Sequence, residues 1–144
     1  KLERARALGA DATINYRAIP DWQHEVLRLT GGDGADLVVE VGGRDTLPRS
    51  VAATKIGGTV SVIGGLSSFG GPELGLLSLI GGLRRLHGLM VGSRAMLDDV
   101  VRVVDAQRIK PVVDRVFGFD EAPHAYAYLQ SGQHFGKVVI RVAS

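Results

Sequence analysis

The chain has 144 residues, 45% of them hydrophobic and 22% charged, with a formal net charge of +2 and no cysteine. That is room for one domain with a sizeable core and too little for two. No apolar run approaches the roughly 18–20 residues of a membrane-spanning helix, and the basic residues are scattered along the sequence, adjacent only at Arg84-Arg85, unlike the stripe that meets nucleic acid.

Without cysteine these residues hold no disulfide, no thiolate zinc site and no thiol nucleophile. A reducing cytoplasm allows this, and a cytoplasmic protein is the expectation. Residue 1 is a lysine inside a predicted helix, with no initiator methionine and no signal-peptide pattern, so the sequence reads as truncated. The spacing of Leu2, Ala5 and Leu8 predicts that helix over 1–9, with Gly9 near its end. A strand is expected at 12–16. Trp22, Val26 and Leu29 share one face of a second helix, opened by Pro20 and Asp21 and closed by Gly31 and Gly32. The nearly continuous apolar run at 36–41, bounded by glycines, suits a parallel strand covered on both faces.

The alternation continues with a helix over 46–54, a strand at 59–63, a glycine-rich stretch at 64–82 with a short helix in its middle, and a strand at 86–91. Leu97, Val100, Val101 and Val104 form a helical stripe, with Asp98 and Asp99 read into the first turn, where the helix dipole favours negative charge. A strand at 112–119 leads to a helix whose face carries Ala122, Ala125, Tyr126 and Leu129, with Pro123 in its first turn and Ser131 and Gly132 as its stop. The last strand is expected at 137–142. Strands alternating with helices of about ten residues indicate βαβ units, hence an α/β, doubly wound, mainly parallel sheet with helices on both sides.

In such a sheet the ligand lies outside the carboxyl ends of the strands. Three predicted ends are glycine-rich: Val41-Gly42-Gly43-Arg44, Ile63-Gly64-Gly65 and Val91-Gly92-Ser93. Each glycine alone reads first as turn chemistry; three successive strands sharing the feature point to a common crevice. Several familiar motifs are absent. Gly132-Gln-His-Phe-Gly136-Lys137 has one residue too few for a phosphate-binding loop, lacks the following Ser/Thr and precedes a strand. Neither Gly-x-Gly-x-x-Gly nor Gly-x-Ser-x-Gly occurs, and no tyrosine has a lysine four residues on. His24, His87, His124 and His134 lie far apart without metal-ligand spacing.

Four segments carry a family likeness: Val39-Glu-Val-Gly-Gly43, Val60-Ser-Val-Ile-Gly-Gly65, His87-Gly-Leu-Met-Val-Gly-Ser-Arg94, and the run from Lys110-Pro111-Val-Val-Asp-Arg-Val116 to His134-Phe-Gly-Lys-Val-Val-Ile140. In order, and over essentially all 144 residues, the chain resembles the nucleotide-binding domain of the medium-chain, zinc-type alcohol dehydrogenase and quinone oxidoreductase superfamily. The resemblance implies a partial Rossmann-type domain over 1–144, lacking the first βαβ unit with its phosphate-receiving glycine loop, and a catalytic domain outside this chain.

It also implies NAD or NADP as cofactor. Val41, Gly42, Gly43 and Arg44 would lie by the adenosine, and Ile63, Gly64, Met90, Val91 and Gly92 along the nicotinamide and its ribose. Lys137 matches a basic position that meets the pyrophosphate, a role a flexible ammonium suits; by residue type alone it also reads as a solvated lysine at a strand start. Lys1 matches a position that reaches the adenosine ribose. Tyr16 resembles one touching the adenosine end in quinone-reductase relatives, and its residue type alone reads as core or rim packing.

In the family the zinc ligands come from the other domain, so zinc belongs to the parent enzyme and neither a metal ligand nor a catalytic residue is assigned here. The leading expectation is the cofactor-binding part of an NAD(P)-dependent oxidoreductase that moves hydride between nicotinamide and an alcohol, carbonyl or quinone, with little activity from the 144 residues alone. The alternative is an inactive structural or oligomerisation unit. In the family the strand matching 86–91 pairs subunits, which implies a homodimer, with exchanged elements as one form of it.

Overall fold

The computed structural model describes residues 1–68, 70–71 and 74–143. Phe69, Pro72 and Glu73 of the glycine-rich stretch lie outside the described residues. The chain divides into two compact units, Lys1–Val91 and Gly92–Ser144.

The first unit contains α1 (Leu2–Ala7), α2 (Trp22–Leu29), β1 (Ala35–Glu40), α3 (Leu47–Ala53), β2 (Thr54–Val62), α4 (Leu76–Ile80) and β3 (Arg85–Gly88). Its sheet has the order β1-β2-β3, parallel throughout. Parallel neighbours need a crossover, and α3 supplies the one between β1 and β2. One face of α3 buries Leu47 and Val51 against Val60, and Val38, Val62, Leu74 and Leu79 pack around them. Burying each such side chain contributes roughly 1.5–3 kcal/mol. Helix α3 also packs against α2.

The second unit holds α5 (Arg94–Ala106), β4 (Val113–Gly118), a 3-10 turn (Phe119–Glu121), α6 (Ala122–Gln130) and β5 (Lys137–Arg141). Strands β4 and β5 pair in parallel with α6 packed on both. Phe117 and Ala125 are buried there. The Tyr128 ring lies 6.0 Å from Phe117, and the Arg115 guanidinium sits 4.4 Å from the Tyr128 centroid.

These parallel strands with crossover helices form the α/β architecture of the Rossmann class, although the ladders are two small sheets and not one. Four local expectations change. Residues 12–16 form no strand: their apolar alternation is strand-like, but a strand is a property of a pair, and among the described residues this segment joins no ladder. Strand β2 begins at Thr54, not 59, because a bulge lets Thr54 face Ala35 before Thr59 faces Leu37. Strand β3 ends at Gly88, so 89–91 lie beyond it. Ser93 caps α5 by accepting from the Met96 N–H at 3.3 Å, which starts the helix at Arg94 and moves Asp98 and Asp99 out of its first turn. Asp99 instead pairs with Arg102 one turn along.

Candidate functional site

Strand β1 ends in a carboxylate. Glu40 is 3% exposed and is the only charged residue buried among the described residues. Its Oε1 accepts from the Gly42 N–H at 2.6 Å, the Gly43 N–H at 2.9 Å and the Thr46 hydroxyl at 2.6 Å. Its Oε2 accepts from the Ser50 hydroxyl on α3. Burial acts to raise its pKa, but the hydrogen bonds from Ser50, Thr46 and the Gly43 and Gly42 amides outweigh that and hold the carboxyl below its ordinary value.

The segment after β1 is joined to the segment after β2. The Ile63 N–H donates to the Glu40 carbonyl at 2.9 Å, the Leu66 N–H to Val41 at 3.1 Å and the Ser67 N–H to Gly42 at 2.8 Å. The Ser67 hydroxyl also donates to the Gly42 carbonyl at 2.8 Å. Gly43 bridges to Ser68, whose carbonyl accepts from the Arg44 N–H at 3.2 Å. Two strand ends thus form one rim, closed by backbone hydrogen bonds.

Beside this rim lies a cavity of about 610 Å³, lined by Tyr16, Trp22, Val39, Val41, Gly42 and Leu66, with Glu40, Asp45, Thr46, Ser50 and Ser67 as its polar wall. A smaller cavity of about 230 Å³ shares Tyr16, Trp22 and Thr46. Two aromatic faces, aliphatic side chains and a few hydroxyls are a lining suited to a flat, partly polar organic ligand.

Of the candidate residues, the structure brings Tyr16, Val41 and Gly42 together on the cavity. Gly43 is buried in the rim and Arg44 is exposed just past it. Ile63 and Gly64 belong to the same rim, Gly64 packing close against Val41. Met90 and Val91 do not end a strand: they lie past β3, 91% and 93% exposed. Lys1 precedes α1, at the far start of the chain from β1. Gly92 and Lys137 belong to the second unit, where Lys137 opens β5 and its N–H donates to the Val112 carbonyl at 2.8 Å.

The sequence matches the zinc-binding dehydrogenase family over residues 8–140. The chain belongs to that family. It is 43% identical to a zinc-type alcohol dehydrogenase-like protein of Schizosaccharomyces pombe, over 99% of this chain and 42% of that protein. The crystal structure of an NAD-dependent alcohol dehydrogenase superposes with a TM-score of 0.85 at 38% identity, over 99% of this chain and 41% of that one. A crotonyl-CoA carboxylase/reductase in complex with NADP superposes at 0.73 with 26% identity, over 91% and 34%. The chain spans about two fifths of the length of the curated relatives it matches.

For this zinc-binding dehydrogenase family member, sequence reasoning missed Glu40. The available signal was a lone carboxylate closing the apolar run Leu37-Val38-Val39, with Gly42-Gly43 beginning two residues on and hydroxyls at Thr46 and Ser50. Among the described residues no three His, Asp or Glu side chains converge as a metal site, and no helix is long and apolar enough to cross a membrane.

The depressed Glu40 pKa gives a pH prediction. Its folded value lies below the ordinary 4.5, so it stabilises the fold above that pH, and this contribution is lost as pH falls through the folded pKa. Glu25 and Asp36 are depressed as well, through hydrogen bonds to Arg28 and Lys55, but they are surface pairs that salt screens. In about 0.5 M salt, urea midpoints are therefore expected to fall between about pH 5 and about pH 3, and Glu40→Gln to flatten the decline. Parallel curves for the two proteins would remove Glu40 as its cause.

Proposed function

We propose that this chain is the larger part of the nucleotide-binding domain of an NAD(P)-dependent oxidoreductase of the alcohol dehydrogenase type. The supporting observation is the joined rim at the carboxyl ends of β1 and β2 beside the 610 Å³ cavity, since open parallel sheets bind ligands at carboxyl ends. In this reading Tyr16, Val41, Gly42, Gly43 and Arg44 hold the adenosine side. Ile63 and Gly64, with Met90, Val91 and Gly92, serve the nicotinamide side, Lys137 meets the pyrophosphate and Lys1 the adenosine ribose.

The lining fits such a cofactor: Tyr16 and Trp22 offer flat faces to a base, while Val41 and Leu66 exclude water. When bound, the nicotinamide supplies hydride transfer to or from an alcohol or carbonyl carbon. The chain's own part is to bind, orient and keep water out. Zinc finds no ligand set among the described residues and enters no step here. The 144 residues alone are expected to show no alcohol oxidation at ordinary enzyme rates.

Trp22 is the only tryptophan and lines the cavity, so it reports on occupancy. NADH or NADPH is expected to quench its fluorescence saturably, with Kd of about 10 μM to 1 mM, and calorimetry to return the same value. Both cofactors are titrated because one similar structure is described as NAD-dependent and another holds NADP. No binding by either method up to millimolar nucleotide would reject the reading.

A further inference from the structure

Glu40 is an unusual group for a strand end. It is buried, no cation lies within ion-pair reach of it among the described residues, and all its partners are neutral donors. Taking a carboxylate out of water is costly, and an apolar side chain of similar size generally serves stability as well or better. The donors converge unevenly: three meet Oε1, two of them from the turn after the strand, and one meets Oε2. Two of these are consecutive backbone amides of the rim. The Gly42 peptide is therefore held on both sides, its N–H by Glu40 and its carbonyl by the Ser67 amide and hydroxyl from the β2 end.

We propose that Glu40 is a positioning residue: its carboxylate sets the backbone at Gly42 and Gly43, and through Ser67 fixes the spacing of the two strand ends between which the nucleotide is held. Glu40 acts through the rim and not by contact with the ligand. The ligand half of this statement rests on the nucleotide reading above; the rim half does not.

Side-chain variants separate geometry from charge. Glu40→Ala removes the acceptor. Glu40→Asp keeps the charge but withdraws it by one carbon–carbon bond, about 1.5 Å, out of reach of the two amides. Glu40→Gln keeps one carbonyl oxygen at full reach, enough for the glycine amides, while the Thr46 hydroxyl turns to the Gly43 carbonyl it already approaches at 3.4 Å. Val51→Ala is the control for stability alone, since Val51 is wholly buried and gives the rim no hydrogen bond.

The experiment is amide hydrogen exchange on the full 144-residue chain, taking the rates of Gly42, Gly43 and Ser67 relative to Val60 inside β2, together with NADH and NADPH affinity. Glu40→Ala and Glu40→Asp are expected to raise the rim-to-core exchange ratio about tenfold or more and to weaken nucleotide binding by a similar factor. Glu40→Gln is expected to stay within about threefold on both counts, and Val51→Ala to lower the melting temperature without moving the ratio. An unchanged ratio in Glu40→Ala overturns the proposal, as does a raised ratio with unchanged nucleotide affinity. If Glu40→Ala does not fold, Glu40→Asp decides by the same criteria. A wild-type chain that binds neither nucleotide rejects the functional reading alone, and the exchange ratio then upholds or overturns the rim role by itself.

Discussion

Gly43→Val is expected to destabilise the first unit by about 3 kcal/mol and to abolish nucleotide binding at concentrations that saturate the wild-type chain. Gly43 has φ +88°, a left-handed conformation that costs an L-residue about 1–2 kcal/mol and a β-branched one more. A Cβ there would meet the Ser68 carbonyl oxygen at 2.6 Å and the Gly65 Cα at 2.7 Å. Both are backbone atoms, so no side-chain rotation relieves the contact, and forcing them apart adds about 1–3 kcal/mol. The displaced atoms are those that tie the β2 end to the β1 end, hence the effect on binding as well as stability. Urea denaturation followed by circular dichroism measures the first effect and Trp22 fluorescence the second. A change below about 0.5 kcal/mol would show that the two segments can separate freely.

The second unit has a comparable position. Gly136, just before β5, has φ +97°, and a Cβ there would stand 2.3 Å from the Val112 carbonyl oxygen and 2.9 Å from the Val112 Cγ1. That same carbonyl accepts from the Lys137 N–H, the contact with which β5 begins beside β4. Gly136→Ala is therefore expected to cost about 3 kcal/mol, combining left-handed strain with a backbone clash. It should speed amide exchange along β4 and β5, most at Lys137. A β4–β5 ladder with wild-type protection would refute it.

Local pattern carried most of the architecture. Residues 36–41 read as a strand because an apolar run between glycines has few other uses, and Ala122, Ala125 and Leu129 mark α6 because helical spacing repeats over two turns. The misses share a cause, which is that pairing partners are not written locally. Ala12, Ile14 and Tyr16 alternate like a strand, yet no ladder receives them. Lys55, Gly57 and Gly58 are poor strand formers, yet pairing across a bulge brings Thr54 into β2. By charge Asp98 and Asp99 suit a first turn, but the start of α5 is set by the Ser93 cap.

At the site, the glycines after β1 and β2 mark places where backbones approach closely, and those two segments do join, whereas the third glycine-rich end expected, Val91-Gly92-Ser93, follows no strand end. Glu40 was not. A charged residue ending an apolar run reads as the edge of a strand, and the four donors that make it buried converge only once α3 folds back over β1. Met90 and Val91 looked like a strand end because the apolar run continues through them, while the β2–β3 register stops at Gly88.

The donors to Glu40 stand two, three, six and ten residues after it, spanning the turn after the strand and the first turn of α3. One residue inserted between Thr46 and Ser50 would rotate Ser50 by about 100° around α3 and away from Glu40. The stretch from Thr46 to Ser50 is thus frozen in length. Variation in length must be taken up elsewhere, for instance at Gly31 and Gly32, where an added Cβ would meet nothing within 4 Å. Aligned homologues should therefore show gaps at that turn and none between Thr46 and Ser50.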